Sequence, residues 1–257
     1  MKYAGINYLR VNAIYPKGNL LFLHGLTGNI NRWEYYIDNL SKDYNILSVD
    51  LIGHGDSDFP ERIEDYSYAK QASDLLKLIE NQEMDNITLI CHSYSFGIAL
   101  EMMKQNKSRF KTIVAISPLL ITPENIINCK IKYIPMLIFL WKFLKHKRRI
   151  GRFNYPKDLS DYSLLDYKKG IDEIGIKSYL AHINSIKNAE DIESYGKSDI
   201  PALLIYKNND KLFNENHTQI FRDVFINTIE YKLSGSGHLF LMEDKKQILE
   251  AMRSYLL

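Results

Sequence analysis

Short runs of apolar residues alternate along the chain with longer segments in which apolar residues recur every three to four positions. The short runs are typical of buried strands, and the longer recurrence is typical of helices that cover a core. The alternation predicts an α/β fold with a mostly parallel sheet between two layers of helices, its first strand pairing antiparallel at an edge. The predicted strands are 6–13, 19–24, 45–49, 86–91, 111–117, 201–206 and 228–232, and the predicted helices are 31–41, 65–82, 94–106, 215–223 and 243–256.

The alternation is interrupted between residues 117 and 201, where the sequence is helix-like and rich in Tyr, Lys and Ile. We therefore expect a core formed by residues 1–120 and 200–257, with residues 121–199 inserted as a helical cap. Within the cap, residues 130–152 hold eight basic residues and no acidic one. Leu137, Leu140, Trp141 and Leu144 form one apolar stripe of an amphipathic helix there. Packing on the core is the simpler interpretation, and an acyl pocket or weak contact of the basic end with a membrane surface is the alternative.

Composition narrows the function classes. The chain has 257 residues, 46% of them hydrophobic, which is enough for one large core. Lys and Arg number 33 against 31 Asp and Glu, so a net charge of +2 gives no overall attraction to nucleic acid. The first residues lack the pattern of a signal peptide and no apolar run is long enough to span a membrane, so we expect a cytoplasmic protein. Oligomeric state is left open.

Cysteine content and residue spacing argue against several kinds of site. The two cysteines, Cys91 and Cys129, are too few for a disulfide scaffold or a cysteine-rich zinc site. No spacing indicates a metal, an organic cofactor or a nucleotide-phosphate loop. We therefore expect no cofactor and no metal.

Ser93 occupies the most informative position in the chain, because an apolar strand runs directly into it and a helical segment follows. A serine hydroxyl becomes a nucleophile when a sharp turn holds it beside a base and beside backbone donors. Glycine usually stands two residues to either side of such a serine, and Cys91 and Ser95 stand there instead. Both are small enough for strand and helix to approach closely. The alternative interpretation is that Ser93 only caps the following helix.

Three other chemically useful segments also follow predicted strands. His24-Gly25 ends one strand, Asp210 ends another, and His238 lies in a Gly-rich loop after the last. The carboxyl ends of parallel strands meet at one edge of a sheet, where open α/β sheets bind ligands. We expect these residues to lie near Ser93.

The order Ser93, Asp210, His238, with a cap between the first two, resembles the α/β-hydrolase superfamily, in its cap-containing serine esterase and lipase branch. The resemblance implies that Ser93 is the nucleophile, His238 the base and Asp210 the acid that orients it. It also implies that the N–H groups of Leu26 and Tyr94 form an oxyanion hole. The expected substrate-binding residues are His24, Gly25, Trp33 and Trp141. Glu124 is the reserve for the acid, while His54 and His92 are expected to order loops.

The expected function is therefore hydrolysis of a small-molecule carboxylic ester or thioester with an apolar acyl part, through an acyl-enzyme intermediate. An acyltransferase or a carbon–carbon bond hydrolase with the same three residues is an alternative. A non-catalytic ligand-binding protein that keeps the fold is another.

Overall fold

The computed structural model describes residues 1–120, 141, 143–146, 164–210, 212–213, 215–238 and 240–256. Eight strands form one sheet in the spatial order β1-β2-β4-β3-β5-β6-β7-β8. β2 pairs antiparallel with β1 and β4, and the neighbouring pairs from β4 to β8 are parallel. The strands are β1 (Lys2–Tyr3), β2 (Ile6–Val11), β3 (Asn19–Leu23), β4 (Asn45–Val49), β5 (Ile87–His92), β6 (Phe110–Ile116), β7 (Ala202–Asn209) and β8 (Thr228–Ser236).

Six α-helices accompany the sheet in the described residues. They are α1 (Glu34–Leu40), α2 (Tyr68–Asn81), α3 (Ser95–Gln105), α4 (Leu164–Lys187), α5 (Glu215–Val224) and α6 (Lys245–Leu256). Helix α2 begins after Ser67, whose hydroxyl oxygen accepts a hydrogen bond from the N–H of Lys70 at 3.3 Å. Helix α4 is interrupted at Gly175, where a φ of 75° breaks the helical backbone. Short 3₁₀ helices cover Ile30–Trp33, Ile63–Tyr66, Lys107–Arg109 and Ile192–Tyr195.

The sheet separates two hydrophobic cores, and alternate residues of its central strands face opposite sides. In β3, Leu21 and Leu23 belong to the first core, while Leu20 and Phe22 belong to the second. Helices α2, α3 and α5 contribute to the first core, and α1 and α6 to the second. Burial on both faces explains why these strands read as continuous apolar runs, and it confirms the predicted α/β class.

The predicted cap falls largely outside the described residues. This applies to 121–140, 142 and 147–163, and so to Cys129, to the reserve acid Glu124 and to most of the basic segment. The boundaries of the cap, and its contact with a membrane surface, stay predictions. Helix α4 is described, and it lies in sequence between β6 and β7. Among the described helices none is both long enough and apolar enough to cross a membrane.

Candidate active site

The turn between β5 and α3 consists of Ser93 and Tyr94. Ser93 has a φ of 51°, in the left-handed region that residues other than glycine rarely adopt. Neighbouring segments hold it there: its N–H donates to the carbonyl of Ile116 at 3.1 Å, and its carbonyl accepts from the N–H of Leu119 at 3.1 Å. Such backbone strain persists only where the surroundings impose it. The end of β6 therefore fixes the conformation of the candidate nucleophile.

Cys91 and Ser95, which replace the usual glycines, both fit this turn. Cys91 is fully buried, with its sulfur 3.7 Å from the carbonyl oxygen of Val114. Burial raises the pKa of its thiol, so it stays protonated and unreactive. The Ser95 hydroxyl donates to the carbonyl of Leu23 at 2.9 Å and accepts from the N–H of His92 at 3.1 Å. Small side chains thus meet the steric demand, and Ser95 also adds hydrogen bonds that a glycine could not make.

Ser93, His238 and Asp210 form a hydrogen-bonded row. The Ser93 hydroxyl lies 2.6 Å from Nε2 of His238, and Nδ1 of His238 lies 2.7 Å from Oδ2 of Asp210. A carboxylate can only accept, so Nδ1 carries the proton and Nε2 is free to accept from the serine. The structure brings together three residues that are separated by up to 145 positions in sequence.

The carboxylate of Asp210 is buried, and neighbouring donors hold it. Ser117 donates its hydroxyl to Oδ2 at 2.5 Å, and the N–H of Leu212 donates to Oδ1 at 2.8 Å. Burial alone would raise the pKa of Asp210, but the bonds from His238, Ser117 and Leu212 together lower it below its usual value. Asp210 is therefore ionised at neutral pH. Sequence reasoning missed Ser117, although its position directly after β6 places it at the same sheet edge.

The loop after β3 carries the first predicted oxyanion donor. Its turn closes with a 3.0 Å hydrogen bond from the N–H of Gly28 to the carbonyl of Gly25, and Thr27 has a φ of 65°. A Cβ atom on Gly25 would lie 2.7 Å from Nδ1 of His92, so only glycine lets this loop approach the turn at Ser93 so closely. Within the described residues, no hydrogen bond uses the N–H of Leu26 or that of Tyr94.

Two buried histidines hold the loops at this edge of the sheet. His24 accepts from the N–H of Leu51 at 3.0 Å, and its Nδ1 lies 2.8 Å from the carbonyl of Gly25. His54 accepts from the N–H of Thr27 at 3.1 Å. His54 thus has the loop-ordering place expected of it. His24 is fully buried, so the structure gives it the same kind of place rather than the substrate contact that was predicted.

The two tryptophans have different surroundings. Trp33 is fully buried in the second core, 5.1 Å from the ring of Phe22, which corrects its predicted place in a substrate pocket. The ring size and apolar character that made it a candidate serve packing here. Trp141 is buried in the first core and donates its indole N–H to the carbonyl of Lys177 on α4 at 2.9 Å. Its contact with substrate stays a prediction.

The described part of the chain shows no group of three or more His, Cys, Asp or Glu side chains that could hold a metal ion. The geometry instead provides a hydroxyl beside a base, a buried carboxylate behind the base, and a glycine-containing loop alongside. This arrangement can activate a hydroxyl for attack on a carbonyl carbon.

Comparisons with known proteins agree with this architecture. A family model described as the alpha/beta hydrolase fold matches residues 18–142. The alignments with the first three curated relatives cover 34% of the length of each relative. The chain therefore spans about a third of those proteins. A protein of Haemophilus influenzae, provisionally described as an esterase/lipase, is 21% identical over 242 residues, which cover 92% of this chain and 82% of that protein.

Solved structures extend the likeness over nearly the whole chain. An epoxide hydrolase of Bacillus megaterium superposes with a TM-score of 0.74 at 17% identity, covering 98% of this chain and 96% of that one. An esterase from Exiguobacterium antarcticum superposes with a TM-score of 0.72 at 19% identity, covering 98% and 95%. At these identities the likeness establishes the fold and leaves the reaction to be argued from the site.

Proposed function

This chain has the α/β-hydrolase fold, and we propose that within it the chain is a serine hydrolase that cleaves carboxylic esters or thioesters with an apolar acyl part. The observation that carries the proposal is the row of Ser93, His238 and Asp210, with separations of 2.6 and 2.7 Å. A nucleophile hydrogen-bonded to a base that is itself oriented by a carboxylate is the geometry of acyl transfer.

In the first half of the reaction, the hydroxyl oxygen of Ser93 attacks the carbonyl carbon while Nε2 of His238 takes the hydroxyl proton. The carboxylate of Asp210 stabilises the imidazolium that forms. The N–H groups of Leu26 and Tyr94 bind the oxyanion. Collapse of the tetrahedral intermediate breaks the bond to the alcohol or thiol, which leaves with the proton from His238. In the second half, water attacks the carbonyl carbon of the acyl-enzyme and passes a proton to His238. His238 then returns this proton to the oxygen of Ser93 as the bond to the acyl group breaks, which releases the acid and restores the hydroxyl.

The proposed cap supports the choice of an apolar acyl group. The predicted stripe that includes Trp141 is apolar, and the described helix α4 lies directly against the loop after β3. A Cβ atom on Gly170 of α4 would lie 2.7 Å from Cβ of Thr27, and Asn29 donates to Glu173 at 3.1 Å. We propose that residues 121–199 cover the site and shape the acyl pocket.

A panel of p-nitrophenyl esters from acetate to palmitate, with a thioester counterpart, tests the function. We expect Ser93-dependent hydrolysis, with kcat/KM rising as the acyl chain lengthens beyond acetate. Ser93→Ala should lower kcat/KM at least about 1000-fold. Ser108→Ala changes an exposed serine on the surface and should leave it unchanged. An intact, folded protein that hydrolyses none of these substrates would favour a ligand-binding role.

A further inference from the structure

His182 lies on helix α4 in a fully buried cluster of aromatic side chains that the proposed mechanism does not use. Its ring centroid lies 4.5 Å from that of His54, 5.0 Å from that of Tyr66 and 5.1 Å from that of Tyr94. Its Nδ1 lies 2.7 Å from the hydroxyl oxygen of Tyr94. The cluster thus connects α4 to the residue that follows the candidate nucleophile.

The direction of the bond between Tyr94 and His182 depends on which ring nitrogen of His182 carries the proton. Gln71 donates its side-chain N–H to the hydroxyl oxygen of Tyr94 at 3.1 Å. In the tautomer of His182 that carries its proton on Nε2, the Tyr94 hydroxyl donates its own proton to Nδ1. Burial, with the nearby His54 as a smaller cause, lowers the pKa of His182 well below its ordinary value. A neutral His182 is therefore available as the acceptor at physiological pH.

The position of Tyr94 gives this bond a consequence for the backbone. Tyr94 is buried and is one of only two residues in the turn between β5 and α3. Its side chain is held at the far end by Gln71 and His182, and its ring packs edge-to-face on Tyr68 at 5.1 Å. A side chain that is held at its hydroxyl and along its ring limits the rotation of the peptide unit that contains its N–H. The N–H of that unit is the one proposed to bind the oxyanion.

We propose that His182 is a positioning residue that holds Tyr94, and through it the backbone N–H of the oxyanion hole, in the geometry needed for acyl transfer. The inference rests on the proposed function and names a contribution of helix α4 to it. The ring of His54 contacts that of His182, and His54 accepts a hydrogen bond from the N–H of Thr27. Thr27 directly follows Leu26, whose N–H is the other proposed oxyanion donor. Each of the two buried imidazoles therefore bonds to a residue that carries a proposed oxyanion donor or directly follows one.

Three variants test the role of the bond. His182→Leu removes the ring nitrogen while keeping most of the volume. Tyr94→Phe removes the hydroxyl, and the side chain of Gln71 keeps its other bond, to the carbonyl of Tyr66. We expect each to lower kcat for the best p-nitrophenyl ester by about 10- to 100-fold with KM changed less than about threefold, because a misplaced donor weakens binding of the transition state more than of the substrate. His182→Asn keeps an acceptor near the position of Nδ1 and should restore most of the kcat.

A double variant distinguishes positioning from independent structural damage. If one hydrogen bond carries the effect, Tyr94→Phe/His182→Leu should be no slower than the worse single variant. Rates are normalised to the sites labelled at the endpoint by a fluorophosphonate, so that misfolded protein is not counted. Ser108→Ala, which changes an exposed serine bonded to neither Tyr94 nor the row of Ser93, is the control and should keep the wild-type kcat.

The outcomes separate this inference from the proposed function. A wild-type protein that neither hydrolyses esters nor labels at Ser93 contradicts the proposed function. An active wild type with unchanged kcat in Tyr94→Phe overturns the role of His182, as do multiplicative losses in the double variant. If His182→Leu fails to fold, Tyr94→Phe and His182→Asn decide the question by the same measurements.

Discussion

In the half of the site that carries Leu26 and Tyr94, buried neutral histidines bond to neighbouring groups, whereas the half that carries Asp210 and His238 is braced by a buried lysine between two carboxylates. We call these the neutral half and the charged half. In the first half, buried histidines bind backbone and side-chain donors on neighbouring loops. In the second half, the ammonium of Lys207 lies 2.8 Å from Glu243 and 2.7 Å from Asp244, which connects β7 to the segment after His238.

The difference follows from what each half must do in the proposed reaction. The donors for an oxyanion have to stay fixed while charge develops, and close packing with neutral bonds provides that rigidity. The base and its carboxylate must exchange a proton and stabilise a cation, which requires a retained negative charge. We therefore expect the neutral half to be sensitive to volume and to acid, and the charged half to be sensitive to the loss of a charge.

Removal of the charge on Asp210 should have the largest effect. Asp210→Asn should lower kcat about 10⁴-fold, because an amide cannot stabilise the imidazolium and favours the wrong tautomer of His238. Asp223→Asn on the surface of α5 is the control. Ester kinetics and thermal unfolding measured together check the prediction, and a kcat within tenfold of wild type in a folded variant would show that another carboxylate serves as the acid.

A single added carbon should be costly in the neutral half. Gly25→Ala places a Cβ atom 2.7 Å from Nδ1 of His92, so the loop with Leu26 must move. We expect kcat to fall about 100-fold, comparable to the loss of one oxyanion donor. In Gly18→Ala the nearest atom to the new Cβ is 3.8 Å away, an ordinary contact, and kcat should be retained. Equal kinetics in the two variants would remove the steric argument.

Acid should destabilise the neutral half before it protonates the carboxylates. Burial first, and electrostatic repulsion with a neighbouring histidine second, lower the pKa values of His54, His92 and His182 well below 6.5. The unfolded chain binds these protons below about pH 6.5 and the folded chain does not, so stability falls as the pH drops. If all three stay neutral in the folded state, the free energy of unfolding should fall by about 3 kcal/mol between pH 6.5 and 5.5.

Urea unfolding at several pH values measures this slope. His182→Asn removes one of the three groups and should reduce the fall by about a third, since each group contributes about 1 kcal/mol over that interval. A free energy of unfolding that is independent of pH from 7 to 5.5 would mean that these histidines take up protons in the folded state.

Loss of Lys207 should have a smaller effect, mainly on stability. Its side chain is 2% exposed, and Lys207→Met leaves the largely buried Asp244 without its cation. We expect a loss of about 2 kcal/mol, because one carboxylate of the pair remains half in water. Lys104→Met breaks an exposed pair with Glu190 and should cost less than about 1 kcal/mol. Similar losses for both lysines would indicate that burial of Lys207 does not strengthen its ion pairs.

The fold and the row of Ser93, His238 and Asp210 could be predicted from sequence because each depends on local patterns. Strands buried on both faces read as apolar runs, and the three side chains follow strands that end at one edge of the sheet. The two-residue strand β1 left no such pattern.

The supporting residues could not be predicted because tertiary packing alone brings them together. His182 and Tyr94 are 88 positions apart, and nothing around His182 distinguishes it from other polar positions of a helical segment. Trp33 shows the converse, since a large aromatic residue near a candidate site has the same sequence pattern whether it lines a pocket or fills a core. Lys207 lies one residue beyond the predicted strand 201–206, and its partners follow His238 in a segment whose path the sequence does not specify.

Covalent labelling tests the central claim most directly, namely that Ser93 is a nucleophile activated by His238. Wild-type protein, Ser93→Ala, His238→Ala and Ser108→Ala are incubated with a fluorophosphonate, and the modified residue is identified by peptide mass spectrometry. We predict one modified site, Ser93, in wild type and Ser108→Ala, no labelling of Ser93→Ala, and strongly slowed labelling of His238→Ala. Labelling of another residue, or equal rates with and without His238, would contradict the account.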